Sequence, residues 1–65
     1  MNAAQMTIRQ YLGNKTLPGV FDAQCFIGMI ETGEATWDDF EAVGGMVLVA
    51  AVAKTMEHIR DNAAD

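Results

Sequence analysis

The sequence predicts an all-α fold: three helices, two short and one long at the C-terminus, forming a small helical bundle completed by oligomerisation. Three observations carry this expectation. Turn residues gather at Gly13-Asn14, Pro18-Gly19 and Gly33 and divide the 65 residues into three segments. Within each segment the apolar residues recur at helical spacing. Finally, 51% of the residues are apolar, although a domain of this size buries only about 60% of the surface its unfolded chain exposes. A single domain over residues 1–65 is expected, with more apolar surface than it can cover by itself.

In the first segment Asn2 has the side chain of an N-cap, for a helix running to about Leu12. Ala4, Ile8, Tyr11 and Leu12 fall on one stripe, with Thr7, Arg9 and Gln10 turned away. Gly13 followed by Asn14 supplies the stop, because glycine accepts the left-handed backbone that ends many helices.

The second helix begins between Thr16 and Phe21. Thr16 has the chemistry of a cap, and Pro18 is tolerated only in a first turn. The helix should end at Thr32 or Gly33. Its apolar positions, Val20, Phe21, Ala23, Cys25, Phe26, Ile27, Met29 and Ile30, go nearly all the way round, which is the pattern of a buried helix. A strand over Cys25 to Ile30 is the competing reading, since a short apolar run is ambiguous by period; the helix is preferred.

The third helix has the clearest start. Thr36 before Trp37-Asp38-Asp39 puts a hydroxyl cap and two carboxylates at the positive end of the helix dipole. Extended to about Asn62, it places Trp37, Phe40, Val43, Gly44, Val47, Leu48, Ala51, Thr55, His58 and Ile59 on one broad face. Met46, Val49 and Ala53 make the opposite side apolar as well. One side can pack on the first two helices and the other needs cover from another chain. The expected oligomer interface is therefore Gly44, Gly45, Met46, Val47, Val49, Ala50, Ala53 and Met56. Each glycine of the Gly44-Gly45 pair costs about 1 kcal/mol relative to alanine inside a helix. Close approach of helix axes, shared with Ala50, Ala51, Ala53 and Gly28, is expected in preference to a kink, because the helical phase continues across the pair.

Composition excludes several function classes. With Cys25 the only cysteine, no intramolecular disulfide can form, and a cytoplasmic location is expected. Cys25 and His58 are too few for a structural zinc site. The first residues lack a basic segment leading into an apolar run, and the longest apolar stretch, Ala42 to Ala53, is twelve residues, whereas a spanning helix needs about 20. Neither a secretory signal nor a membrane anchor is expected. The formal charge is −5, and no cation lies between Lys15 and Lys54, where Asp22, Glu31, Glu34, Asp38, Asp39 and Glu41 all fall. Direct nucleic-acid binding needs the opposite balance. A larger, partly basic protein is the partner such a field suits.

Catalytic chemistry finds little to work with. The chain has no serine, and there is no phosphate-cradling glycine loop of the Walker type. Cys25 reads as a small core hydrophobe, and nothing in the sequence brings His58, the sole histidine, to it as a base. On a helix His58 can converge with Asp61 but points about 100° from Glu57, so it reads as a partly buried histidine near a helix C-terminus. No catalytic residue, cofactor or metal ligand is assigned, and the chain is not expected to be an enzyme.

The candidate partner-binding surface is the junction of the second and third helices: Glu31, Glu34, Trp37, Asp38, Asp39, Phe40 and Glu41. It holds five carboxylates in eleven residues, with two aromatics one turn apart that can anchor a partner or close the core, the core lid being preferred. Its spacing does not fit a calcium loop. The expected function is that of a non-enzymatic homo-oligomer, most simply a dimer, which blocks or bridges a larger protein. Small acidic helical accessory proteins of bacteria and their phages, acting as inhibitors or adaptors, have this general character. The alternative is an oligomer that holds a small anionic ligand or nucleotide between protomers, using Arg9, Tyr11, Lys15 or Arg60.

Overall fold

A computed structural model describes residues 1–63, which form α1 (Ala3–Leu12), α2 (Val20–Glu31) and α3 (Trp37–Ala63), with no strand among the described residues. The all-α class and the three helices stand.

At the start of α1 the Asn2 side chain accepts the Gln5 N–H at 2.8 Å, and the Gln5 side chain reaches back to the Asn2 N–H at 3.4 Å. This reciprocal pair satisfies two donors that a helix start leaves open. The helix ends as its sequence requires, with Gly13 at φ 61 and its N–H on the Arg9 carbonyl. Ile8 and Leu12 are buried, while Tyr11 is half-exposed and sets its ring edge-on to Phe26.

α2 starts at Val20 with Gly19 as its cap and no side-chain cap bond, so Thr16 does not perform the role expected of it. Pro18 explains why: a proline disfavours helical backbone at the residue before it, here Leu17, so no helix carries through from Thr16. Lys15 instead bridges the connection to Asp22, in the first turn of α2, at 2.8 Å. The helix ends at Glu31, with Thr32 as the cap and Gly33 at φ 81.

The expectation that α2 is buried all round is corrected. Ala23, Phe26, Ile27 and Met29 are buried, but Val20, Phe21 and Cys25 are exposed. Among the described residues α1 and α3 are the helices packed against it, and two helices cover one side of a third and not its whole circumference. Cys25 is accordingly a surface residue and not part of the core.

The core is centred on Phe26 and Phe40, both fully buried, with ring centroids 5.2 Å apart at 63°. Edge-to-face pairs of this kind add about 0.5–1.5 kcal/mol to the burial of the rings themselves. Ile8, Leu12, Leu48 and Val52 complete the inner layer, and Ala4, Ile30, Val49 and Met56 pack against it.

α3 carries the second correction. Gly45 has φ 72 and ψ −169, non-helical values, and the helix kinks there. Phe40 and Val43 point inward before the break, Leu48 and Val52 after it. A continuous helix would bring Val47 and Ala51 inside; Val47 is instead 55% exposed. The inward positions move on by one residue across the break, about 100° of rotation. Close approach does occur at Gly44, but within α3: a Cβ there would lie 2.6 Å from the Leu48 Cβ. Gly28 faces open space, so it makes no tight contact with α3.

Candidate interaction surfaces

Asp39 organises the acidic junction. One carboxylate oxygen accepts hydrogen bonds from the Asn2 side-chain amide at 3.0 Å and the Gln5 amide at 3.1 Å. The other accepts from the Thr36 N–H at 3.0 Å and the Thr36 hydroxyl at 3.3 Å. The starts of α1 and α3 therefore meet at one carboxylate, where the positive ends of two helix dipoles converge. The Asn2 amide, followed by the Thr36 N–H, holds the Asp39 carboxyl below its usual range, with smaller help from Gln5 and the Thr36 hydroxyl and against partial desolvation. The Thr36 hydroxyl, expected to cap α3, instead donates to Asp39, whose carboxylate also accepts the Thr36 N–H.

Two members of the expected partner surface are thereby withdrawn from it. Asp39 is engaged by its own chain, and Phe40 lies fully buried in the core. Trp37, 37% exposed with its ring 6.3 Å from that of Phe40, closes the core while keeping one edge in water. Glu31, Glu34, Asp38 and Glu41 are exposed, and among the described residues none of them is ion-paired.

The residues of the expected oligomer interface divide in two. Met46, Val47, Ala50 and Ala53 are exposed on the second part of α3. Val49 and Met56 pack against the core, and Gly44 and Gly45 are half-buried at the break. No charged residue occurs between Glu41 and Lys54, so the exposed members form an apolar face. By length and composition α3 is long and apolar enough to cross a membrane. The helix beyond Gly45 carries Lys54, Glu57, Arg60 and Asp61, each costly at the centre of a bilayer.

The four residues considered for an anionic ligand are not brought together. Arg9 donates to the Val43 carbonyl at 2.8 Å, and Lys15 is paired with Asp22. Tyr11 lines a cavity of about 350 Å³ with Cys25 and Glu34, whereas Arg60 lines another of about 320 Å³ with Ile27, Glu31 and Met56. His58 is exposed and not partly buried, since the phase shift at Gly45 turns it outward; its Nε2 lies 3.3 Å from the Asn62 amide nitrogen. Among the described residues no three His, Cys, Asp or Glu side chains are grouped so as to hold a metal ion.

Sequence reasoning missed a groove of about 640 Å³ between the start of α2 and the second part of α3, with Val20, Ala51 and Ile59 on its walls and Lys54 and His58 among its polar groups. Apolar residues all round α2 suggest burial on every side. The signal was available in the chain length, which leaves α2 too few neighbours to cover both Phe26 and Phe21. Comparison of the chain with protein-family models, with curated proteins and with solved structures returns no match.

Proposed function

We propose that the chain is a non-enzymatic interaction protein, a homo-oligomer that binds a larger, partly basic protein and blocks or bridges it. The observation that carries this reading is the uncovered apolar face of α3, Met46, Val47, Ala50 and Ala53. Exposed apolar patches on a small domain mark association surfaces. In a two-fold contact along this face, alanine at position 50 allows two helices to approach closely, with Met46 and Val47 packing to either side. The exposed carboxylates of Glu31, Glu34, Asp38 and Glu41 supply the surface for the basic partner. A negative field of this kind accelerates encounter and selects partner charge more than it adds affinity.

The experiment is affinity capture with the tagged chain, repeated with Glu34, Asp38 and Glu41 all replaced by Lys. A single protein retained stoichiometrically at moderate salt, and lost with the charge-reversed variant, supports the reading. Equal capture by both forms removes the acidic surface from it.

A further inference from the structure

α3 carries no charge between Glu41 and Lys54, and the two residues that bound this interval have opposite sign. Both are exposed, and among the described residues neither is ion-paired. Phe40 and Val43 set the inward direction before the Gly45 break, Leu48 and Val52 after it. At about 100° per residue, Glu41 and Lys54 then lie on the same outward side as Met46, Val47, Ala50 and Ala53. We propose that two copies of the chain pack α3 against α3 in antiparallel orientation, about a two-fold axis that brings Glu41 of each protomer to Lys54 of the other. This rests on the reading that the chain self-associates through this face, and it assigns the orientation, the register and the charged ends of that contact.

Charge decides the orientation. In a parallel pair Glu41 would face Glu41 and Lys54 would face Lys54, whereas the antiparallel pair makes two unlike contacts from one self-complementary patch. Side-chain size agrees on the register. The same axis sets Gly45 opposite Ala50 and Ala42 opposite Ala53, so no large side chain holds the backbones apart at these positions, and Met46 and Val47 pack beside the axis. Asp38 and Glu57 stand about one turn further out, where helices crossing at about 20° or 50° have begun to separate, so their like charges weigh less. Glu41 then belongs to the self-contact, leaving Glu31, Glu34 and Asp38 exposed for the basic partner.

The test compares dimer dissociation constants, by sedimentation equilibrium at low ionic strength, for the wild type, Glu41→Lys, Lys54→Glu and the chain carrying both. Both side chains are exposed, and circular dichroism checks that helicity is kept. Each single reversal turns two attractive contacts into two repulsive ones and is expected to weaken the dimer about tenfold. The double variant, whose pairs re-form with the signs exchanged, is expected within about threefold of the wild type. Net charge alone gives a different result, because Glu41→Lys makes the chain less negative and would then tighten the dimer. A dimer that either single reversal leaves unchanged, or that the double variant fails to restore, overturns the antiparallel pairing while self-association stands. A wild type that is monomeric at every concentration removes self-association itself, and the pairing with it.

Discussion

The guanidinium of Arg9 donates a hydrogen bond to the backbone carbonyl of Val43 at 2.8 Å, tying α1 to the turn of α3 that precedes the Gly45 break. The last four carbonyls before a helix break have no donor from their own helix. A cation is also favoured at that negative dipole end. Arg9→Ala should therefore destabilise the fold by about 1.5 kcal/mol, the low end of the range for a bond to a charged group, given the partial exposure of the site. In a domain this small that is a fall of roughly 6–12 °C in Tm. Thermal melts check it, and an unchanged Tm would show the bond to be idle.

Gly44 and Gly45 make opposite predictions for a straight and a broken helix. In a straight helix either glycine changed to alanine would stabilise by about 1 kcal/mol. With φ 72 and ψ −169, Gly45 occupies a region that side-chain-bearing residues avoid. Gly45→Ala should cost about 1–3 kcal/mol. Gly44→Ala should also destabilise, because its Cβ would meet the Leu48 side chain. Denaturant midpoints give the sign directly.

Asp39 makes stability depend on acid pH. Its folded-state carboxyl titrates below the ordinary value, chiefly through the Asn2 amide and the Thr36 N–H. Its contribution is thus fully present above the unfolded value of about 3.9 and is lost as pH falls through the lower folded value. Between pH 5 and pH 2 the urea midpoint of the wild type should fall more steeply than that of Asp39→Asn. At pH 7 the variant should be the less stable of the two, since an amide NH₂ would face one of the donors that now bond the carboxylate. Parallel curves would contradict the assignment.

Both ends of α1 and the start of α3 were legible in the sequence because their chemistry is local: Asn2, Gly13 and the Thr36-to-Asp39 segment each act within a turn of where they stand, whereas the cap expected at Thr16 did not form. The break at Gly45 was not. From Met46 to Ala53 every residue is apolar, so an inward stripe can be drawn at any phase, and the shift from Val47 to Leu48 leaves no mark in the pattern. Asp39 was legible as part of a cap, but its bonds to Asn2 and Gln5 span 37 and 34 residues. The acidic surface is consequently smaller than the composition suggests, and the apolar surface larger, through Val20 and Phe21.

Charge reversal of Glu34, Asp38 and Glu41 should leave the monomer fold intact, since all three are exposed and none is ion-paired among the described residues. Asp38 lies in the first turn of α3, so a modest loss of about 0.3–1 kcal/mol is expected from the dipole. Partner affinity should fall together with its salt dependence. A large drop in stability would instead mark these carboxylates as structural.

The central claim is self-association through the exposed apolar face of α3, and sedimentation equilibrium at micromolar concentration tests it most directly. Val49 is unsuitable for substitution because it packs against the core, whereas Ala50 and Ala53 are exposed. A Val or Met side chain covered by a second chain contributes about 1.5–3 kcal/mol, so glutamate at position 50 or 53 should weaken the contact by at least tenfold. The account predicts a wild-type mass at a multiple of the monomer, reduced by Ala50→Glu and by Ala53→Glu. A wild-type monomer at every concentration, with both variants indistinguishable from it, would contradict it.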